Sequence, residues 1–134
     1  MNESKWLSSL LGIGAVLEIP VGAGLLAFPS SIASWLLGAP LSGAALVVAR
    51  LAGGGLLALG IACWFARSTP IARASLGVAG GLLIYNIAAC ITLGLALAGP
   101  GSRALLLGAA VLHGLLSFAL LGALVASGRQ LNTA

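Results

Sequence analysis

Carboxylates are nearly missing from this sequence. Asp and Glu together number two, Glu3 and Glu18. That excludes a hydrolase built on paired carboxylates, an EF-hand and an acidic tail on this chain alone. Charge of either sign is scarce, at 6 % of residues, about a quarter of the usual share in a soluble domain. Histidine and methionine occur once each. A zinc site has too few ligands, and a His/Met haem would have to use Met1. The two cysteines, Cys63 and Cys90, sit inside apolar runs with no CxxC between them, so they read as small buried hydrophobes and not as a disulfide framework.

What remains is apolar and small. Hydrophobic types fill 60 % of the 134 residues, glycine supplies 20 positions, and the mean hydropathy is +1.19. A water-soluble surface cannot be covered from this composition, and the class is an integral membrane protein. The net charge of +4 does not point to nucleic acid. Lys5, Arg50, Arg67, Arg73, Arg103 and Arg129 are scattered singly between apolar runs, with no basic stripe interleaved with aromatics.

Four apolar stretches are long enough to cross about 30 Å of hydrocarbon at about 1.5 Å per residue. They cover about 6–28, 43–66, 74–98 and 104–126 in one membrane domain, 1–134. Pro29 and Pro40, the run Arg67-Ser68-Thr69-Pro70, and Gly99-Pro100-Gly101-Ser102 separate them. Backbone polar groups in lipid must be satisfied internally, and no strand-like alternation appears, so the spans are helices. The predicted fold is an all-α, polytopic four-helix bundle with a short interfacial helix over 29–40. In that segment Ser30, Ser31 and Ser34 face water and Ile32, Trp35 and Leu36 face lipid, as interfacial packing or as a lid over a cavity. Lys5 followed by an apolar run resembles a signal peptide, but no convincing small-residue cleavage site follows, and the run is read as a retained helix.

With four spans, both termini and the middle loop share one side. That side holds Lys5, Arg67, Arg73 and Arg129, against Arg103 opposite, plus Arg50 if it belongs to that end, which favours both termini in the cytoplasm. Trp6 and Trp64 then lie at the cytoplasmic headgroups and Trp35 at the other interface. Small residues recur every fourth position: Gly54, Ala58, Ala62 and Ala66; Ala88, Thr92 and Ala96; Ala110, Gly114, Gly122 and Ala126. Each set marks a helix face for close packing, within the bundle or against a partner.

Each span carries a residue that lipid penalises. Glu18, Asn86 beside Tyr85, and His113 fall near mid-membrane, and Arg50 lies about 9 Å inside the second span. Such groups face the bundle interior and pair. The expected cluster is Glu18, Arg50, Asn86, His113 and Tyr85, with Arg50 paired to Glu18, as a ligand site or as a clamp that fixes helix register. Snorkelling to the headgroups is the other place for Arg50. Pro20 removes a donor from the carbonyl of Val16, and Gly14, Gly22 and Gly24 flank the same stretch, leaving room for a small ligand or for a neighbouring helix. Ser117 lies one turn from His113, but polar residues share a membrane-helix face routinely and no catalytic residue is assigned.

Two resemblances bear on function. The window 11–28, with Glu18 in the first helix, is similar to the small multidrug resistance family. There one membrane-embedded glutamate exchanges protons for cationic drug, which implies a proton-coupled exporter; Arg50, His113 and the long 29–40 connection depart from that pattern. The run Arg50-Leu51-Ala52-Gly53-Gly54-Gly55-Leu56-Leu57-Ala58-Leu59-Gly60 and the four-span plan resemble DoxX-like small bacterial membrane proteins, in which the Arg-led helix opens the chain. That resemblance implies quinone or partner-subunit binding in the bacterial inner membrane. The expected function is therefore a small non-catalytic accessory subunit or lipid- or quinone-binding module, with the exporter and a membrane enzyme acting near His113 as alternatives. The expected partners are membrane lipids and other membrane subunits or a second copy, with no nucleic acid, cofactor or metal.

Overall fold

The computed structural model describes residues 3–69, 72–99 and 103–133. Five helices follow one another: α1 (Glu3–Ala27), α2 (Pro29–Leu37), α3 (Ala44–Ala66), α4 (Arg73–Ala96) and α5 (Arg103–Thr133). Four of them, all but α2, are long and apolar enough to cross a membrane, so the predicted all-α plan and its short helix between the first two spans are present. The predicted turns at Pro70 and over Pro100, Gly101 and Ser102, and the residue Met1, lie outside the described residues.

Boundaries follow local chemistry. Pro29 disfavours helical geometry at the residue before it, and Phe28 leaves the helix at φ −133° and ψ 53°. Pro29 then opens α2, where its missing N–H costs nothing. Gly38 closes α2 at φ 77° and its N–H bonds the carbonyl of Ser34, a left-handed cap that suits glycine. The Ser30 hydroxyl accepts from the Leu41 N–H at 3.2 Å and folds the following loop back over α2. Ser30 therefore does more than face water. At the ends of α3 and α4 the last N–H groups bond carbonyls three residues back, as in Ser68 to Phe65 and Leu97 to Gly94, tightening the turn. The fifth helix runs past the predicted end at 126, because Arg129 and the residues after it include no breaker.

The spans alternate in direction. α1 packs most extensively on α3, and α4 on α5; α1 with α5 and α3 with α4 close the ring. α2 crosses one end and touches α1, α3 and α5, with Pro29 and Ala33 buried and Trp35 exposed. The core is a column of Leu7, Leu10, Leu11, Ala15, Cys63, Ala79, Leu82, Leu116 and Leu120. Outside it, Leu51, Phe65, Ile84 and Phe118 are each more than 70 % exposed. A water-soluble bundle would carry polar residues on such a surface, so this outer face belongs against hydrocarbon.

The α1–α3 contact is made through glycine. A methyl group on Gly22 would lie 2.5 Å from the Leu57 nitrogen, and one on Gly53 2.8 Å from the Gly22 oxygen. These backbones touch directly. The predicted stripe Gly54, Ala58, Ala62 and Ala66 is not the buried one: Gly53, Gly60 and Cys63 are buried, while Ala58 is exposed.

Candidate functional site

Glu18 is 2 % exposed and points into the bundle. Its position on α1 is opposite Val16 and Pro20, which lie exposed on the outer face. A methyl group on Gly60 of α3 would come within 3.2 Å of the Glu18 Cβ, so α3 closes one flank of the acid. Tyr85 of α4 is its polar neighbour across the bundle.

Tyr85 joins this acid to a second polar pair. Its ring meets the His113 imidazole edge-on, with centroids 5.6 Å apart and planes at 87°. On α5, His113 Nδ1 lies 2.7 Å from Asn86 Oδ1, and Asn86 Nδ2 donates to the Leu82 carbonyl at 2.8 Å. The amide nitrogen already donates, so Oδ1 is the acceptor and the imidazole Nδ1–H is the donor. Asn86 is fully buried, where an unmet amide would be costly.

Four of the five expected residues thus come together: Glu18, Tyr85, Asn86 and His113. Arg50 does not. It is exposed on α3, beside the exposed Val47, Val48 and Leu51. Ten residues separate it from Gly60, at the level of Glu18, or about 15 Å of helix rise. The expected Arg50–Glu18 pair is corrected by this distance. Arg50 stands near the α2 end of the bundle.

The glycine-flanked window around Pro20 holds neighbouring side chains and backbone. Leu82 of α4 fills the space over Gly14, where a methyl group would lie 2.6 Å from its Cδ2, and α3 fills the space over Gly22. Leu82 links both features, since its carbonyl holds Asn86 and its side chain seats on α1. The Ser117 hydroxyl donates to the carbonyl of His113 in its own helix at 2.8 Å. It is aimed at backbone, not at the imidazole.

Comparison with protein-family models, curated proteins and solved structures finds no match to this chain. Of the two resemblances, what stands is the four-span helical plan.

A groove of about 280 Å³ runs along the seam of α4 and α5, lined by Leu83, Ile87, Cys90, Ile91, Gly114, Ser117, Phe118 and Leu121. Cys90 lies one turn from Asn86, and Gly114 follows His113. The periodicity of neither helix alone gives this feature, because it needs the two faces side by side. A second feature passed over in the sequence is Trp64 with Arg67, whose three-residue spacing puts an aromatic ring and a cation on one helix face.

Proposed function

We propose that this chain is a small non-catalytic membrane module whose α4–α5 seam takes the apolar chain of a lipid or a quinone. The seam groove carries this reading. At about 280 Å³ it lies at the small end of ligand sites, which suits one hydrocarbon chain better than a bulky polar ligand. Gly114 keeps it open, since the nearest atom to a methyl group there is Cys90 Sγ at 3.5 Å. The polar network beside it supports a holding role, because Asn86 is bonded on both its amide atoms and fixes α4 against α5.

The exporter reading asks for Glu18 beside a space that a cation can enter. Glu18 lines neither the seam nor the groove between α1 and α3, and Gly60 and Tyr85 flank it. An accessory-subunit role is the second reading. It rests on small residues that face outward: Ala88 and Thr92 are exposed on α4, and Gly108 and Gly122 of α5 meet nothing within 4 Å. Such positions let another helix approach closely. The proposed location is the bacterial inner membrane, with both termini in the cytoplasm.

Native mass spectrometry after purification in mild detergent tests this reading. The expected result is the chain with bound amphiphile, one molecule fewer in Gly114→Leu, which fills the groove. A second protein in fixed ratio, with no amphiphile, supports the accessory subunit instead.

A further inference from the structure

On the opposite side of the bundle, Arg67 is held in place more firmly than a loop charge needs. It follows the last turn of α3. Its guanidinium carbon lies 3.5 Å from the centroid of the Trp64 ring, and Nε donates to the Trp64 carbonyl at 3.2 Å. Ser8 of α1 donates to the Arg67 carbonyl at 2.7 Å and fixes the backbone. Gly12 gives the side chain its path, since a methyl group there would meet Arg67 Cδ at 3.9 Å. Stacking and the Nε bond leave the two terminal nitrogens, with four N–H donors, without a hydrogen bond among the described residues. That planar fork matches phosphate oxygens.

The fork stands at one end of a groove of about 440 Å³ between α1 and α3. Ser9 and Arg67 form its polar end. Below them Ile13, Val16, Leu17 and the Trp64 indole form an apolar wall. From Ser9 to Leu17 the groove follows α1 for about 12 Å toward mid-membrane. Lys5 and Arg73 lie at the same end of the bundle and add positive potential. Polar and cationic at the headgroup level, apolar beneath it, the groove has the pattern of an anionic amphiphile.

We propose that this groove binds one acidic phospholipid, with its phosphate on the terminal nitrogens of Arg67 and the Ser9 hydroxyl, and one acyl chain along Ile13, Val16 and Leu17. The α4–α5 seam is a separate site, so failure there leaves this proposal standing. A free phosphate lacks the chain that fills the groove. A zwitterionic lipid carries a cation that offsets the attraction.

Tryptophan quenching tests the proposal. Replacing Trp6 and Trp35 by Phe leaves Trp64 as the only indole. The full chain is placed in phosphatidylcholine bilayers containing a minor fraction of brominated phosphatidylglycerol, or the same fraction of brominated phosphatidylcholine. The expected local enrichment of the acidic lipid at Trp64 is about fivefold, the worth of one well-placed cation near a membrane surface. Arg67→Gln, at unchanged helix content by circular dichroism, removes the excess, while Arg73→Gln and added inorganic phosphate leave it in place. Equal quenching by the two lipids overturns the proposal, as does an excess that survives Arg67→Gln or is removed by inorganic phosphate. Quenching by neither lipid also overturns it, since protein then covers Trp64.

Discussion

At the level of single side chains, the His113–Asn86 bond is the direct polar tie between α4 and α5. Side-chain hydrogen bonds between membrane helices contribute about 0.6 kcal/mol on average and at most about 1.7 kcal/mol. Asn86→Leu is therefore expected to lower stability by about 1 kcal/mol. Adding His113→Phe recovers part of that loss, because no imidazole N–H is then left buried alone. Thermal unfolding of the variants in detergent reads both effects. Ser127 makes the opposite case. Its hydroxyl is fully buried with no hydrogen-bond partner among the described residues. Ser127→Ala removes that unmet group, so the unfolding temperature stays level or rises. The polar cluster was legible at this scale where depth alone decided it. Glu18, Tyr85, Asn86 and His113 share a level, and lipid leaves them no other place. Arg50 was misplaced because it stands about 15 Å along α3 from the level of Glu18, on a helix face turned outward, and a single basic residue has no period to show its direction.

Among the elements, α1 and α3 define the tightest interface, and glycine sets their distance. A Cβ at Gly22 or Gly53 would fall within 3 Å of the other helix's backbone. Backbone cannot swing aside, so Gly22→Ala and Gly53→Ala are each expected to cost about 1–3 kcal/mol by overpacking. Gly55→Ala and Gly81→Ala meet nothing within 4 Å, and their stability should remain within about 0.5 kcal/mol of the parent. Unfolding curves of the four variants separate the two classes. The sequence shows that α3 is built for close approach but not from which side. Gly53, Gly54 and Gly55 point in three directions about 100° apart, and a period of four through Gly54 fits the pattern as well as the true contact through Gly53, Leu57 and Gly60. Only the position of α1 selects between them. The boundaries near Pro29 and Gly43 were legible because each residue restricts or frees its own backbone.

For the molecule as a whole, length and hydropathy sufficed to find the four spans, since about 20 apolar residues have few other uses. Arrangement in the bundle was not legible, and both grooves depend on it. Each groove is a seam between two helices, and neither helix carries a local sign of the other. The proposed orientation rests on charge. Lys5, Arg67, Arg73 and Arg129 gather at one end, with Trp6 and Trp64 half-exposed there, while Arg50, Arg103 and the exposed Trp35 mark the other. Reporter fusions at both termini should therefore be active only in the cytoplasm.

The central physical claim is that Glu18 faces inward, shut off from lipid and water by Gly60 and Tyr85. A hydrophobic carbodiimide, which attacks carboxyl groups open to the membrane, probes this directly, since Glu18 is the one Asp or Glu side chain inside a span. Applied to the folded protein in bilayers and mapped by mass spectrometry, it should leave Glu18 unmodified and react with it only after unfolding in strong detergent. Stoichiometric modification of Glu18 in the folded protein would contradict the account.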